Sequence, residues 1–207
     1  NEFDGRAIPG TLLISALGLV PDMHHAVDSA GMQPGDDLWL VGAGTSAMGG
    51  SLLDAVVGLG ATEVPAPLDD PMPRYRAVHR TIAGGLVTAA HDCSEGGVAV
   101  ALAEMAIASR HGISAVVPAD GLDPTVALCN EAPGRIVLAA PPAARGEMAE
   151  ALGGHGRQIG EVTGDDRIAL RVAHAAPDTE GLDALSLSLV AVGIDQAVRA
   201  FTGGDRS

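Results

Sequence analysis

The seven residues His91–Gly97 place two adjacent glycines and four polar side chains between an apolar stretch and a helical one. The preceding stretch, Val87–Ala90, is short and apolar, which predicts a buried strand. The following stretch, Val98–Ser109, places three apolar residues at i, i+4 and i+7, the spacing of one helix face. A chain that passes from strand to helix through a glycine turn belongs to folds in which sheets and helices pack together.

Apolar runs alternate with helical patterns along the rest of the chain, which predicts an α/β layered domain. The other predicted strands are Thr11–Val20, Leu38–Val41, Ile113–Val117, Arg135–Ala140, His155–Val162 and Ile168–Val172. The other predicted helices are Leu52–Val57, Arg74–Leu86, Ala143–Leu152 and Leu185–Phe201. Pro65–Pro73 contains four prolines and is expected to be an internal linker. Gly112 is expected to end the helix that follows the glycine turn.

Composition excludes several classes of function. With 207 residues, 47% of them hydrophobic, the chain is long enough to bury a large core. A net charge of −14 and 2% aromatic residues argue against nucleic acid as a partner, because phosphates are repelled and stacking surfaces are scarce. No apolar run is long enough to span a membrane. Two cysteines without close pairing favour a reducing cytoplasm.

The glycine turn has a ligand-binding interpretation and a structural one. The first N–H groups of a helix are unpaired and carry partial positive charge, and glycine lets an anion approach the backbone. Asp92 or Glu95 can alternatively hold Mg²⁺ that bridges to a phosphate. In the structural interpretation, Ser94 or Asp92 caps the helix and the glycines only form the turn. The predicted phosphate- or nucleotide-binding residues are His91, Asp92, Ser94, Glu95, Gly96 and Gly97.

A second polar cluster, Asn130–Arg135, runs directly into a predicted strand. Asn130, Glu131 and Arg135 are candidates for a substrate-binding loop, since a guanidinium suits bidentate contact with an oxyanion. The alternative is an internal ion pair between Glu131 and Arg135 that holds the loop in place.

No catalytic residue is assigned, and the metal ligands stay unknown. His91 is expected to form structural hydrogen bonds, because nothing in the sequence identifies a proton for it to move. Cys93 is expected to be a small buried thiol, because no pattern places a base beside it. The other histidines show no HExxH or similar metal spacing.

The run Ala90–Ala106 resembles the Ala-His-Asp-Val-Ser-Asp/Glu-Gly-Gly-Leu-Ala-Val-Ala-Leu-Ala-Glu-Met run of a known family. That family is the large subunit of phosphoribosylformylglycinamidine synthase, in the superfamily that includes aminoimidazole ribonucleotide synthetase. Supporting resemblances lie in Asn1-Glu2 with Gly5, Ile8, Pro9 and Thr11, and in Pro34–Gly42, Gly49–Ser51 and Ile159–Gly164. Together these runs span nearly the whole chain in the order of the family.

The resemblance implies the C-terminal domain of the second half of such an enzyme, a mixed sheet packed by helices. Residues 1–10 would be a loop leading in from an upstream domain outside this chain, and residues 11–207 the synthetase-like domain. The implied reaction converts formylglycinamide ribonucleotide, glutamine-derived ammonia and ATP to formylglycinamidine ribonucleotide, with ATP or ADP and Mg²⁺ as cofactors. The implied partners are the upstream domains, a glutaminase subunit or domain and a small-molecule nucleotide.

The family has two related halves and only one catalytic cleft, so the resemblance implies that this piece is structural or lines an auxiliary nucleotide cleft. The isolated chain is expected to be inactive. Where the family loop reads Ser-Glu-Ser-x-x-Arg, this chain has Asn130–Arg135 and lacks both serine hydroxyls. The alternatives are a non-catalytic nucleotide-binding or scaffold module, or another superfamily member such as a selenophosphate synthetase or a hydrogenase maturation factor.

Overall fold

Apolar runs become strands, and amphipathic runs become helices, along most of the chain. The computed structural model describes residues 2–3, 5–7, 13–173 and 187–202. Its strands are β1 (Glu2–Phe3), β2 (Arg6–Ala7), β3 (Asp37–Val41), β4 (Ala89–Asp92), β5 (Gly112–Pro118), β6 (Ile136–Ala140), β7 (Gly156–Thr163), β8 (Arg167–Ala173) and β9 (Leu187–Gly193). Its α-helices are α1 (Leu52–Val57), α2 (Met72–Ala83), α3 (Gly97–Ser109), α4 (Pro124–Cys129), α5 (Arg145–Leu152) and α6 (Ile194–Thr202).

Seven strands form one mixed sheet in the order β4-β6-β3-β7-β5-β8-β9, and β1 and β2 form a separate antiparallel pair. Within the large sheet β5 and β8 are parallel and the other neighbours are antiparallel. Helices cover both faces of this sheet, so the predicted α/β layered class, with a mixed sheet packed by helices, is confirmed.

Successive side chains of β3 point to opposite faces of the sheet and enter two different cores. Leu38 and Leu40 belong to a core that includes residues of α3, α4 and α6. Trp39 and Val41 belong to a second core that includes residues of α2 and α5. All five residues of β3 are buried, because helices cover both sides of the sheet at this strand.

One edge of the sheet gathers segments that are distant in sequence. Asp92 at the end of β4 pairs with Ile136 at the start of β6, and Ile136 also pairs with Val41 at the end of β3. Val41 in turn pairs with Gly156 at the start of β7. The residues that follow β3 and β4 and those that precede β6 and β7 therefore meet at one edge, here called the site edge.

The chain enters α3 through two glycines in the left-handed region. Gly96 has φ +80° and Gly97 has φ +68°. A Cβ on Gly97 would lie 2.7 Å from the carbonyl oxygen of Asn130 and 2.8 Å from that of Leu128. Both the backbone conformation and the contact with the end of α4 therefore require glycine at position 97.

Three sequence predictions at the ends of elements need correction. The strand predicted as Val87–Ala90 is β4, two residues later, because Ala89–Asp92 pairs with β6. The helix predicted as Arg74–Leu86 begins at Met72, because Pro73 is tolerated in a first helical turn. Gly112 does not end α3, since Arg110 adopts the left-handed C-cap conformation with φ +63° and Gly112 lies in β5.

Two further predictions were wrong about the kind of structure. Residues 13–20 of the predicted strand Thr11–Val20 have no regular structure, and Leu17 and Leu19 are fully exposed because none of the described strands pairs with this segment. The predicted helix Leu185–Phe201 is β9 followed by α6, since Leu187–Gly193 pairs antiparallel with β8. The first two residues of each prediction lie outside the described residues.

No helix in the described ranges combines the length and the apolar character that crossing a membrane requires.

The close contact at Gly97 predicts a large loss of stability on adding a methyl group. Gly97→Ala is expected to lower the free energy of unfolding by about 3 kcal/mol or more, from left-handed strain together with the clash. Gly50 is a matched control, because it has φ +77° and nothing within 4 Å of a Cβ. Gly50→Ala should cost only the strain, about 1–2 kcal/mol. Urea unfolding of both variants measures the difference, and equal losses would contradict this account of Gly97.

Candidate functional site

The two polar clusters of the sequence line one cleft of about 560 Å³ on the site edge. Its walls are Tyr75, the turn residues Asp92–Glu95 and the loop Glu131–Ile136. They meet because β4 ends where β6 begins. Asp92, Ser94, Glu95, Glu131 and Arg135 of the predicted site therefore border one space. The other predicted residues, His91, Asn130, Gly96 and Gly97, lie outside this lining.

Asp92 and Ser94 form a hydrogen-bonded pair at the mouth of the cleft. The Ser94 hydroxyl donates to Asp92 Oδ2, and this bond is the main reason why the pKa of Asp92 lies below its ordinary value. Ser94 therefore does not cap α3, whose N-terminus has no side-chain cap. The predicted helix cap was wrong, and Asp92 is instead held as an exposed carboxylate.

Glu131 crosses from the loop to bind backbone N–H groups of two other segments. Its Oε1 accepts from Gly96 N at 2.8 Å and from Leu52 N, the first residue of α1, at 2.8 Å. The Gly97 N–H donates to the Ser94 carbonyl oxygen at 3.0 Å. Both glycine N–H groups of the turn are therefore bonded within the protein, and a carboxylate lies at the helix start where the sequence predicted a phosphate.

Asn130 is fully buried and joins the loop to the segment after β3. Its Oδ1 accepts from Thr45 N at 3.2 Å, and its Nδ2 donates to the Val126 carbonyl oxygen at 2.7 Å. A Cβ on Gly44 would lie 2.8 Å from the same Nδ2. Asn130 therefore links the end of α4 to the loop that follows β3 by hydrogen bonds.

Arg135 is 3% exposed and has no carboxylate partner among the described residues. Its Nη1 donates to the Asn130 carbonyl oxygen at 3.2 Å, and its Nε has no partner. Burial lowers the pKa of the guanidinium, and the nearby Arg157 lowers it further by charge repulsion. The ion pair between Glu131 and Arg135 offered as an alternative was wrong, because Glu131 binds backbone amides instead.

The surroundings of His91 and Cys93 indicate structural roles for both side chains. His91 Nε2 lies 3.2 Å from Glu104 Oε2, and its Nδ1 lies 2.7 Å from the Asp92 carbonyl oxygen, so the ring ties β4 to α3. Cys93 is 7% exposed, and burial raises the pKa of its thiol to about 12. The expectation of a buried thiol is confirmed, and a thiolate nucleophile at neutral pH is excluded at this position.

Charge in the cleft comes mostly from carboxylates. Asp92, Glu95 and Glu131 line it together with Arg135. Nevertheless, within the ranges that the structure describes, no three His, Cys, Asp or Glu side chains are grouped so that they could hold a metal ion. The described part of the domain therefore presents dispersed carboxylates and no preformed metal site.

Sequence reasoning missed the contribution of α2 to the site edge. Tyr75 lines the cleft, and Arg74 Nη1 donates to the carbonyl oxygens of Pro133 and Gly134 at 3.4 and 3.3 Å. Gly134 has φ +71°, and its missing Cβ leaves space for the Arg74 guanidinium and the Tyr75 hydroxyl. The Pro133-Gly134 pair was the available signal, but only the fold shows which helix packs against it.

Comparison with known proteins gives consistent matches. Residues 33–173 match the model of the family "AIR synthase related protein, C-terminal domain". A curated relative from Moorella thermoacetica, phosphoribosylformylglycinamidine synthase subunit PurL, is 41% identical over 147 residues, covering 70% of this chain and 20% of the relative. The protein of the same name from Synechococcus sp. (strain JA-3-3Ab) is 34% identical over 200 residues, covering 93% of this chain and 25% of the relative.

Among solved structures, PurL from Thermotoga maritima complexed with FGAR matches with a TM-score of 0.63 and 20% identity, covering 84% of this chain and 29% of that one. This structural similarity supports the description of the fold given above. The chain spans a quarter or less of the length of the two curated relatives. Because the family model matches 141 of the 207 residues (33–173), the chain belongs to the family of AIR synthase related proteins, as a C-terminal domain of that family.

Proposed function

We propose that this chain is the C-terminal domain of a phosphoribosylformylglycinamidine synthase, an ATP-dependent ligase of purine biosynthesis. The full enzyme would convert formylglycinamide ribonucleotide, glutamine-derived ammonia and ATP to formylglycinamidine ribonucleotide. The names of the curated relatives support this choice over a selenophosphate synthetase or a hydrogenase maturation factor. The upstream domains and a glutaminase would be its partners, and the cytoplasm its location.

Within that enzyme, the domain would supply one wall of a nucleotide cleft. The observation that carries this proposal is that β4 and β6 bring the turn Asp92–Glu95 and the loop Glu131–Ile136 to one cleft. The cleft opens at the sheet edge, where loops between strands and helices commonly bind ligands. An upstream domain facing this edge would complete the other wall.

Mg²⁺ fits this wall as a bridging ion. It is usually held by one or two carboxylates together with substrate phosphates and water, not by an all-protein cage. Asp92 and Glu95 are exposed carboxylates at the mouth of the cleft. A bound Mg²⁺ would supply neutralisation of the nucleotide phosphates that these carboxylates otherwise repel. The residues themselves would orient the ion through oxygen ligands, with Ser94 fixing Asp92.

The domain is proposed to position ligands without performing chemistry. Cys93 is a buried thiol, and the His91 ring is held between Glu104 and the backbone. Phosphoryl transfer depends mainly on positioning and charge stabilisation, so a wall of this kind contributes by holding the nucleotide.

A second function, that of a pure scaffold, is favoured by one observation. The Gly96 and Leu52 N–H groups already bond to Glu131. If no nucleotide approaches this cleft, the same contacts serve only to join α1, the glycine turn and the loop.

The Ser94 hydroxyl is expected to hold the pKa of Asp92 below its ordinary value. Ser94→Ala removes the main cause of the lowered pKa, so the pKa of Asp92 should rise towards its ordinary value, about 3.9. A carboxylate with a depressed pKa stabilises the fold above its unfolded pKa, and this contribution is lost as pH falls through the folded pKa. Carboxyl ¹³C titration by NMR measures the shift. Asp165 is the internal control, because Thr163 lowers its pKa. An unchanged Asp92 pKa would contradict the role of Ser94.

Nucleotide titration distinguishes the nucleotide-cleft function from the scaffold function. ADP with Mg²⁺ is expected to shift the amide resonances of Asp92–Glu95, with Asp92→Asn weakening binding roughly tenfold through loss of a charged ligand. Glu161→Gln, an exposed carboxylate of β7 outside the cleft lining, should leave binding unchanged. If ADP with Mg²⁺ leaves the Asp92–Glu95 amides unmoved, that result contradicts nucleotide binding by this wall and favours the scaffold function.

The 207-residue chain alone is expected to show no turnover of formylglycinamide ribonucleotide with ATP, Mg²⁺ and ammonium ions. The reason is that an upstream domain would supply the opposite wall of the cleft. ADP release and formylglycinamidine ribonucleotide formation are the two readouts. Substantial formation of that product would contradict a purely positioning role.

A further inference from the structure

The site edge holds a second recess, next to the cleft, where β3 ends and β7 begins. Its volume is about 270 Å³, and its walls are Leu40, Gly42, Ala43, Arg74 and Gly154–Arg157. Two arginines and one histidine line it, and no Asp or Glu is found among the described lining residues. In a chain of net charge −14, this concentration of positive charge is a local exception.

Arg74 brings a charge that no carboxylate pairs with among the described residues. Its only hydrogen bonds in the described part of the chain are the two from Nη1 to carbonyl oxygens, at 3.4 and 3.3 Å. Both distances exceed the usual range of about 2.7–3.2 Å for an N–H···O hydrogen bond. The two hydrogen bonds that hold the guanidinium are therefore weak. A Cβ at position 42 would lie 3.1 Å from Arg74 Nη1. Because Gly42 has no Cβ, the Arg74 side chain can approach the backbone there.

Arg157 is paired, but with a partner at the surface. Its Nη1 donates to Asp120 Oδ1 at 3.1 Å and its Nη2 to Asp120 Oδ2. Both side chains are 38% exposed, so solvent and ions screen this pair. An anion with two charges in the recess can therefore compete with Asp120 for this guanidinium.

The walls between these cations are backbone without side chains. Gly42, Gly154 and Gly156 line the recess, and His155 lies between the last two. Glycine lets an oxyanion reach the main chain, and an imidazole N–H is a donor in either charge state. The Gly42 N–H already donates to the His155 carbonyl oxygen at 2.9 Å, so the glycines supply space, and the guanidinium and imidazole groups supply the donors for an oxyanion.

We propose that this recess binds a phosphate group between Arg74, His155 and Arg157. Its volume of about 270 Å³ is large enough for a phosphate group. The chemistry shared by the possible ligands is a phosphate dianion, supplied by inorganic phosphate or by the phosphate of a sugar or nucleotide. The proposal does not depend on the acidic cleft or on the synthase activity.

The test is an NMR titration of the 207-residue chain with inorganic phosphate, at an ionic strength held constant with NaCl. The amide resonances of Gly42, Gly154 and Gly156 are expected to shift and saturate. Ribose 5-phosphate and ADP are titrated in parallel. Equal affinity for all three would identify the phosphate group alone as the ligand, and tighter binding of one would identify its source.

Three variants make the result specific. Arg157→Gln should weaken phosphate binding roughly tenfold, since it removes a charge-assisted contact. Asp120→Asn should strengthen phosphate binding roughly two- to fivefold, because it frees Arg157 from its ion pair. Asparagine is chosen because it tolerates the left-handed φ of +50° at this position. Arg171→Gln, an exposed arginine on β8, is the control that should change nothing. Wild-type affinity in Arg157→Gln, or shifts that chloride reproduces, would overturn the proposal.

Discussion

The Glu131 carboxylate holds the candidate site together. One of its oxygens accepts from Gly96 N at the start of α3 and from Leu52 N at the start of α1. A carboxylate is stabilised beside unpaired N–H groups at a helix start, because these groups carry partial positive charge. The loop before β6, the glycine turn and the first turn of α1 are therefore joined by one anion that belongs to the protein itself.

This arrangement explains why the role proposed for the glycine turn, a motif typical of phosphate binding, depends on its side chains and not on its backbone. The N–H groups of Gly96 and Gly97 are bonded internally, so the turn offers Asp92, Ser94 and Glu95 to the cleft more than its backbone. Positive charge lies elsewhere on the same edge, where Arg74 and Arg157 line the neighbouring recess. The site edge thus has an acidic part, the cleft, whose carboxylates suit a bound cation. It also has a basic part, the recess, whose arginines suit an oxyanion without a metal ion.

Local pattern was enough to predict α3, α1 and the five central strands, because their apolar spacing agrees with the way they pack. Pattern failed at Leu187–Gly193, where pairing with β8 produces a strand. It also failed at residues 13–20, whose apolar side chains are exposed in the part of the chain that the structure describes. The partner of Glu131 could not be predicted either. Gly96 and Leu52 lie 35 and 79 residues away in sequence, and only the sheet order brings them together.

Hydrogen exchange at two amides tests the central claim that Glu131 provides the internal anion. In Glu131→Gln, the loss of charge should speed exchange of the Leu52 and Gly96 amide protons roughly tenfold or more, since hydrogen bonds to charged groups contribute about 1.5–3 kcal/mol. Glu95→Gln, an exposed carboxylate on the same cleft, is the control and should leave both amides unchanged. Unchanged exchange at Leu52 and Gly96 in Glu131→Gln would contradict the claim.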